Sequence, residues 1–206
     1  MKSSGFIMGA INSAIELVKN PLNYMTTNKD APTTRNDLLI RYVAVLAAIP
    51  FIATLVGDLW YYDLYLPVAF VGSFVAYAFV HAILDYILSI IAVYVIAIVI
   101  KMLAPTFNST ADDIKSLKLA AYIYTPVFLI GALNIIPPLS VIEILGVLYG
   151  LYILYLGLPV ILATPKEKVV SYLVAVVIAT FIIYIIIGVI VGAIDTAIFR
   201  ASFGYF

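Results

Sequence analysis

From Val169 to Ile194 the chain carries no charged side chain (VVSYLVAVVIATFIIYIIIGVIVGAI). Coiled into a helix, this stretch rises about 39 Å, more than the roughly 30 Å of a bilayer's hydrocarbon core. Four more runs share this character: Leu38–Val56, Pro67–Ala104, Leu119–Ile136 and Leu139–Ala163. Backbone groups in lipid find no water, so apolar runs of this length must bond within themselves as helices. Of the 206 residues 65% are hydrophobic and 11% charged, against about 25% charged in a soluble domain. The fold class expected is an all-α integral membrane protein with five transmembrane helices. The expected divisions are a cytoplasmic segment over 1–37, a membrane domain over 38–194, and a short outer tail over 195–206.

Five crossings put the termini on opposite sides, and charge sets the orientation. With the amino terminus inside, the cytoplasmic segments hold Lys2, Lys19, Lys29, Arg35, Arg41, Lys101, Lys115, Lys118, Lys166 and Lys168, and the outside holds only Arg200. That asymmetry follows the positive-inside rule. Trp60, Tyr61, Tyr62 and Tyr65 have the character of an outer aromatic belt. Ahead of the first run, Phe6, Ile7, Ile11, Ala14, Ile15 and Val18 recur at helical spacing. They predict an amphipathic helix that lies on the membrane surface or packs against the bundle.

The second run is unusually long. As one helix it measures about 57 Å, so it tilts, kinks or lies partly in the interface. A hairpin turning at Asp85 would have no glycine or proline at its turn and would place Lys115 and Lys118 outside, so one continuous helix is expected. Within the run, HAILDYILS sets His81, Asp85 and Ser89 at steps of four, on one side of a helix, and Ser73 and Tyr77 extend the stripe. A carboxylate within a membrane helix marks a functional site by default. The stripe is a candidate ion or proton site, with Asp58, Asp63, Glu143 and Asp195 as an outer acidic mouth that concentrates cations. Its alternative is a hydrogen-bonded pair that fixes helix packing, and a simple tilt would put Asp85 near the bilayer centre.

Gly146 and Gly150 form a GxxxG in the fourth span, and Gly188 and Gly192 form another in the fifth. Glycines at this spacing let helix backbones approach closely, and their similar depths predict that these two helices meet there. Tyr149, Tyr152 and Tyr155 are expected as core packing. Catalytic signals are missing: the sequence has no HExxH or GxSxG, one histidine and no cysteine. No cofactor fingerprint and no metal-ligand set can be assigned, and near-zero net charge gives no sign of nucleic acid.

From Lys118 onward the sequence resembles the Yip domain family, whose eukaryotic members interact with Ypt/Rab GTPases. Three features carry the resemblance: Tyr122-x-x-x-Pro126 opening the third span, the Ile136-Pro137-Pro138 corner, and the Leu151–Pro159 stretch ahead of Pro165 and a basic loop. Asn20-Pro21 is similar to the family's amino-terminal approach, and the resemblance extends over roughly residues 20 to 194. It implies five spans, a cytoplasmic amino terminus, and a role with membrane or small-GTPase partners in vesicle traffic. Family members carry Asp-Leu-Tyr-Gly-Pro before the first span, whereas here Asp63-Leu64-Tyr65-Leu66-Pro67 follows it. The compact form looks prokaryotic. The expected function is a non-catalytic protein that organises the lipid bilayer or partner proteins, as a homo-oligomer. The alternative is a cation channel or transporter using Asp85 and His81.

Overall fold

The structure, a computed structural model, describes residues 3–63 and 71–203. Seven α-helices occur among them: α1 (Ser3–Lys19), α2 (Pro21–Asn28), α3 (Ala44–Asp63), α4 (Val71–Leu103), α5 (Asp113–Ile130), α6 (Glu143–Leu162) and α7 (Val169–Phe203). A π-helical turn over Asp37–Val43 leads into α3, and 3-10 turns over Gly131–Ile135 and Pro137–Ile142 join α5 to α6. Five helical stretches are long and apolar enough to cross a membrane, and no strand occurs among the described residues.

The long second span is one unbroken helix through Asp85, so no hairpin turns there; its expected start at Pro67 lies outside the described residues. The longest helix is α7, at 35 residues against 33 for α4.

Local chemistry sets the ends. Pro21 has no N–H to continue α1 and opens α2 instead, while the Asn20 side chain accepts from Asn23 N at 3.3 Å. Asp112 caps α5 by accepting from Lys115 N at 2.7 Å. The α5–α6 corner forms where Ile136 turns extended ahead of Pro137 and Pro138. At the opposite end the loops after α4 and α6 are tied: Thr110 N donates to Leu162 O at 2.8 Å, and the Ser109 and Thr164 hydroxyls lie 2.8 Å apart. Around them gather Arg35 and Lys101, paired with Asp113 at 3.4 and 2.7 Å. We call this the basic end, and the other the corner end.

The third span is central. In its apolar stretch 67% of residues are buried, against 6% in the fifth. The fourth lies directly on it. A methyl added at Gly150 would sit 2.5 Å from Ile123 O, and one at Gly146 would sit 2.9 Å from Val127 Cα. Gly157 continues the face, with room there only for Leu119 and Met25. This corrects the expected glycine pairing. Gly146 and Gly150 serve the α5 contact, and a methyl added at Gly188 or Gly192 would meet nothing within 4 Å among the described residues. A backbone carbonyl pressed against the glycine face gains the dispersion contacts that lipid cannot supply.

The amino-terminal helices share this core. Ala10, Ala14, Leu17 and Met25 are buried with the spans, whereas Phe6, Ile7, Met8 and Ile15 stay exposed. The Val18 carbonyl accepts from Tyr149 OH at 2.7 Å, and Tyr149 stands only about 9 Å of helix from Glu143. α2 then returns to the basic end, where the buried Lys118 Nζ donates to Asn28 O, Lys29 O and Ala31 O at 2.9, 3.0 and 3.2 Å. The two helices therefore form a wedge set into the bundle. Tyr149 is half-buried, but Tyr152 and Tyr155 are exposed rather than core, because α6 turns its glycines inward and the opposite face outward.

Candidate functional site

The chain's polar chemistry collects at the corner end. Pro50 lies within α3 beside Gly131, where an added methyl would meet Pro50 Cβ at 2.6 Å and Glu143 Oε1 at 3.2 Å. That close approach brings Glu143, at the start of α6, against the 3-10 turn of α5. Asn134 Nδ2 donates to Glu143 Oε1 at 2.7 Å and to Thr54 Oγ1 at 3.3 Å, joining three segments. Trp60 Nε1 donates to Ile135 O at 2.8 Å and fastens the end of α3 to the same turn.

These groups border a cavity of about 320 Å³, lined among others by Thr54, Asp85, Ser89, Tyr124, Asn134, Glu143 and Tyr184. Asp85 therefore shares a chamber with the corner residues. From Lys101 to Asp85 is about 24 Å of helix, most of a roughly 30 Å core. Asp85 thus lies toward the corner end of α4.

His81 Nδ1 lies 3.3 Å from Asp85 Oδ2, and Asp58 lies within electrostatic reach of both. The structure brings together Asp58, His81, Asp85 and Glu143. Ser89 lines the chamber, but its hydroxyl donates to Tyr86 O at 2.8 Å within its own helix. Asp63 and Asp195 stand in helices, but their side chains, like those of Ser73 and Tyr77, lie outside the described residues. No group of three histidine or acidic side chains among the described residues is placed to hold a metal ion.

Several partners were not evident from sequence patterning. Thr54 and Tyr86 sit in apolar runs, and Tyr86 OH donates to Ala44 O at 3.0 Å, tying α4 to α3. The Tyr124 and Tyr184 hydroxyls meet at 2.7 Å on the cavity's lining. A signal for Tyr184 did exist: it is the lone hydroxyl in FIIYIII, where a polar atom needs a partner. Lys118 is the other omission, since it is 3% exposed and not a loop charge.

The motif residues play structural parts. Tyr122 is buried, with its ring edge-on to Tyr24 and Tyr42 at 5.6 and 6.1 Å. Pro126 lies within α5, where its carbonyl faces Gly146. Pro137 and Pro138 make the corner that delivers Glu143 to the chamber.

Comparison with known proteins agrees with this reading of the motifs. Neither a curated protein nor a solved structure matches the chain. The Yip1 domain family model matches residues 15–190, from within α1 into the second half of α7. The match includes the wedge, the glycine face and the corner alike, and the chain belongs to the Yip1 domain family.

Proposed function

We propose that this protein is a non-catalytic organiser of membranes or of partner proteins, assembled from more than one copy and oriented with its amino terminus in the cytoplasm. The observation that carries this reading is α7. It is the least buried span, and a methyl added at Gly188 or Gly192 would meet nothing within 4 Å among the described residues. A GxxxG face suits close approach of a second helix backbone. The orientation is supported by the basic end, where Lys29, Arg35, Lys101, Lys115 and Lys118 gather around the loops. Positive charge of this kind is retained on the cytoplasmic side. A small GTPase or other partner in traffic, as family membership suggests, would meet that end.

The test is proximity labelling between copies in reconstituted membranes, wild type beside Gly188→Ile/Gly192→Ile. The substitutions should leave stability within about 0.5 kcal/mol, as for surface sites, and should reduce contact between copies about tenfold. Unchanged contact between copies would overturn assembly through this face.

A second reading, cation passage, is supported by the proximity of Asp58, His81 and Asp85, with Glu143 on the same chamber. Against it, the interior toward the basic end is packed with buried Val43, Leu46, Tyr122 and Thr125. We therefore expect proteoliposomes to show no proton or cation flux above background from the wild type. Flux that disappears in Asp85→Asn, with stability unchanged, would establish the second reading instead.

A further inference from the structure

The chamber has a neighbour. A second recess, of about 330 Å³, lies between α5, α6 and α7, and is bordered by residues such as Ile123, Leu151, Val177 and Phe181. The two share Tyr124, Val127 and Tyr184 as lining. Their characters differ sharply. Thr180 and the shared tyrosines supply the only side-chain polar atoms in the apolar recess, while the chamber holds two carboxylates and a carboxamide.

Their order along the helices matters more than either volume. On α7 the lining passes from Val176 in the apolar recess, through shared Tyr184, to Val191 in the chamber. That path is about 22 Å long. On the α5 side it passes from Ile123, through Tyr124 and Val127, to Asn134. Apolar lining thus lies toward mid-membrane and polar lining toward the boundary, as tail and head lie within one leaflet. α7 packs mainly on α4, and Phe181 on the rim of the recess is 65% exposed.

The chemistry of the chamber selects the head. Its lining includes Asp85 and Glu143 but no lysine, arginine or histidine, and His81 stands behind the lining with Nδ1 3.3 Å from Asp85 Oδ2. Its donors are engaged: Asn134 Nδ2 with Glu143 and Thr54, Tyr86 OH with Ala44 O, and Ser89 with Tyr86 O. Asn134 Oδ1 is a buried acceptor with no donor among the described residues, a state that costs free energy until a donor arrives. Carboxylates with a spare amide acceptor suit a cation rich in N–H groups, and an ammonium has three. An anionic head would meet like charge, and a quaternary amine has no N–H to give.

We propose that the two recesses form one binding site for a membrane lipid with a primary-amine head. The ammonium sits in the chamber of Asp85, Asn134 and Glu143, and one acyl chain lies between α5, α6 and α7. The Tyr124–Tyr184 pair stands where head meets tail.

The test uses the full chain in nanodiscs of phosphatidylcholine and phosphatidylglycerol doped with a phosphatidylethanolamine that carries a photoreactive group midway along one acyl chain. Cross-linked peptides are mapped by mass spectrometry. Adducts should concentrate at Leu151, Val177 and Phe181. Unlabelled phosphatidylethanolamine should suppress them, whereas further phosphatidylcholine or phosphatidylglycerol should not. Glu143→Gln should lower labelling about tenfold, as for loss of one charge-assisted hydrogen bond, and Leu151→Trp should lower it by filling the recess. Adducts spread evenly over Ile182, Ile185 and Val189 on the outer face, or equal competition by all three lipids, would overturn the proposal. The competition is run on the wild type, so it decides the matter even where a variant fails to fold.

Discussion

Gly150→Leu should abolish the folded state, and Gly150→Ala should cost about 3 kcal/mol or more. Overpacking a membrane or soluble core typically costs about 1–3 kcal/mol when flexible side chains can give way. Here the obstructing atom is Ile123 O, a backbone carbonyl of the central helix, only 2.5 Å from the place an added methyl would take. To relieve the overlap α6 must lift from α5, and with it would go the contacts at Gly146 and Gly157. Reversible unfolding in mixed micelles measures the effect. The outcome that would sink this account is a Gly150→Ala protein as stable as Gly188→Ala, whose new methyl meets open space.

Lys118→Met should destabilise the protein by about 3 kcal/mol, near the lower end of the range for breaking a buried charged interaction. The ammonium has three donors, and all three find carbonyls at the end of α2 and the turn beyond it. Removing it takes the ammonium from a position that is only 3% exposed and leaves the three carbonyls without their common donor. Lys118→Arg should not restore the loss, because a planar guanidinium cannot match three converging carbonyls as a compact ammonium does. The readout beyond stability is limited proteolysis, in which cleavage between residues 29 and 36 should accelerate about tenfold, as a local loosening of 1.4 kcal/mol would give. Unchanged cleavage would show that the clamp does not hold α2.

How much of this was legible in the sequence differs from level to level. The spans were, because lipid requires long apolar runs to be helical and says so in composition alone. Which span packs on which was not. In water a helix shows its buried face by periodicity, but in a bilayer the exposed face is apolar too. Gly146-x-x-x-Gly150 and Gly188-x-x-x-Gly192 are therefore the same pattern, yet one lies against α5 and the other faces open space. Lys118 illustrates a related limit. Charge counting places it on the basic side, but only the fold shows its ammonium turned inward beneath α2. For the candidate site, His81 and Asp85 were evident at steps of four. The sharing of one cavity by Asp85 and Glu143 was not, since it depends on the close approach of Pro50 to Gly131 and on the path of the corner.

The hydrogen bond between Tyr149 and the Val18 carbonyl joins residues 131 positions apart. Ribosomes deliver on the order of 5–20 residues per second, so α1 leaves the exit tunnel roughly seven to twenty-six seconds before its resting place exists. Through that interval the first helix has no complete α6 to lean on, and Lys118, 90 positions after Asn28, follows well behind the segment it anchors. The order of synthesis is therefore the reverse of the order of completion. The first part of the chain to be made is among the last to be seated, and final closure of the bundle waits on the wedge.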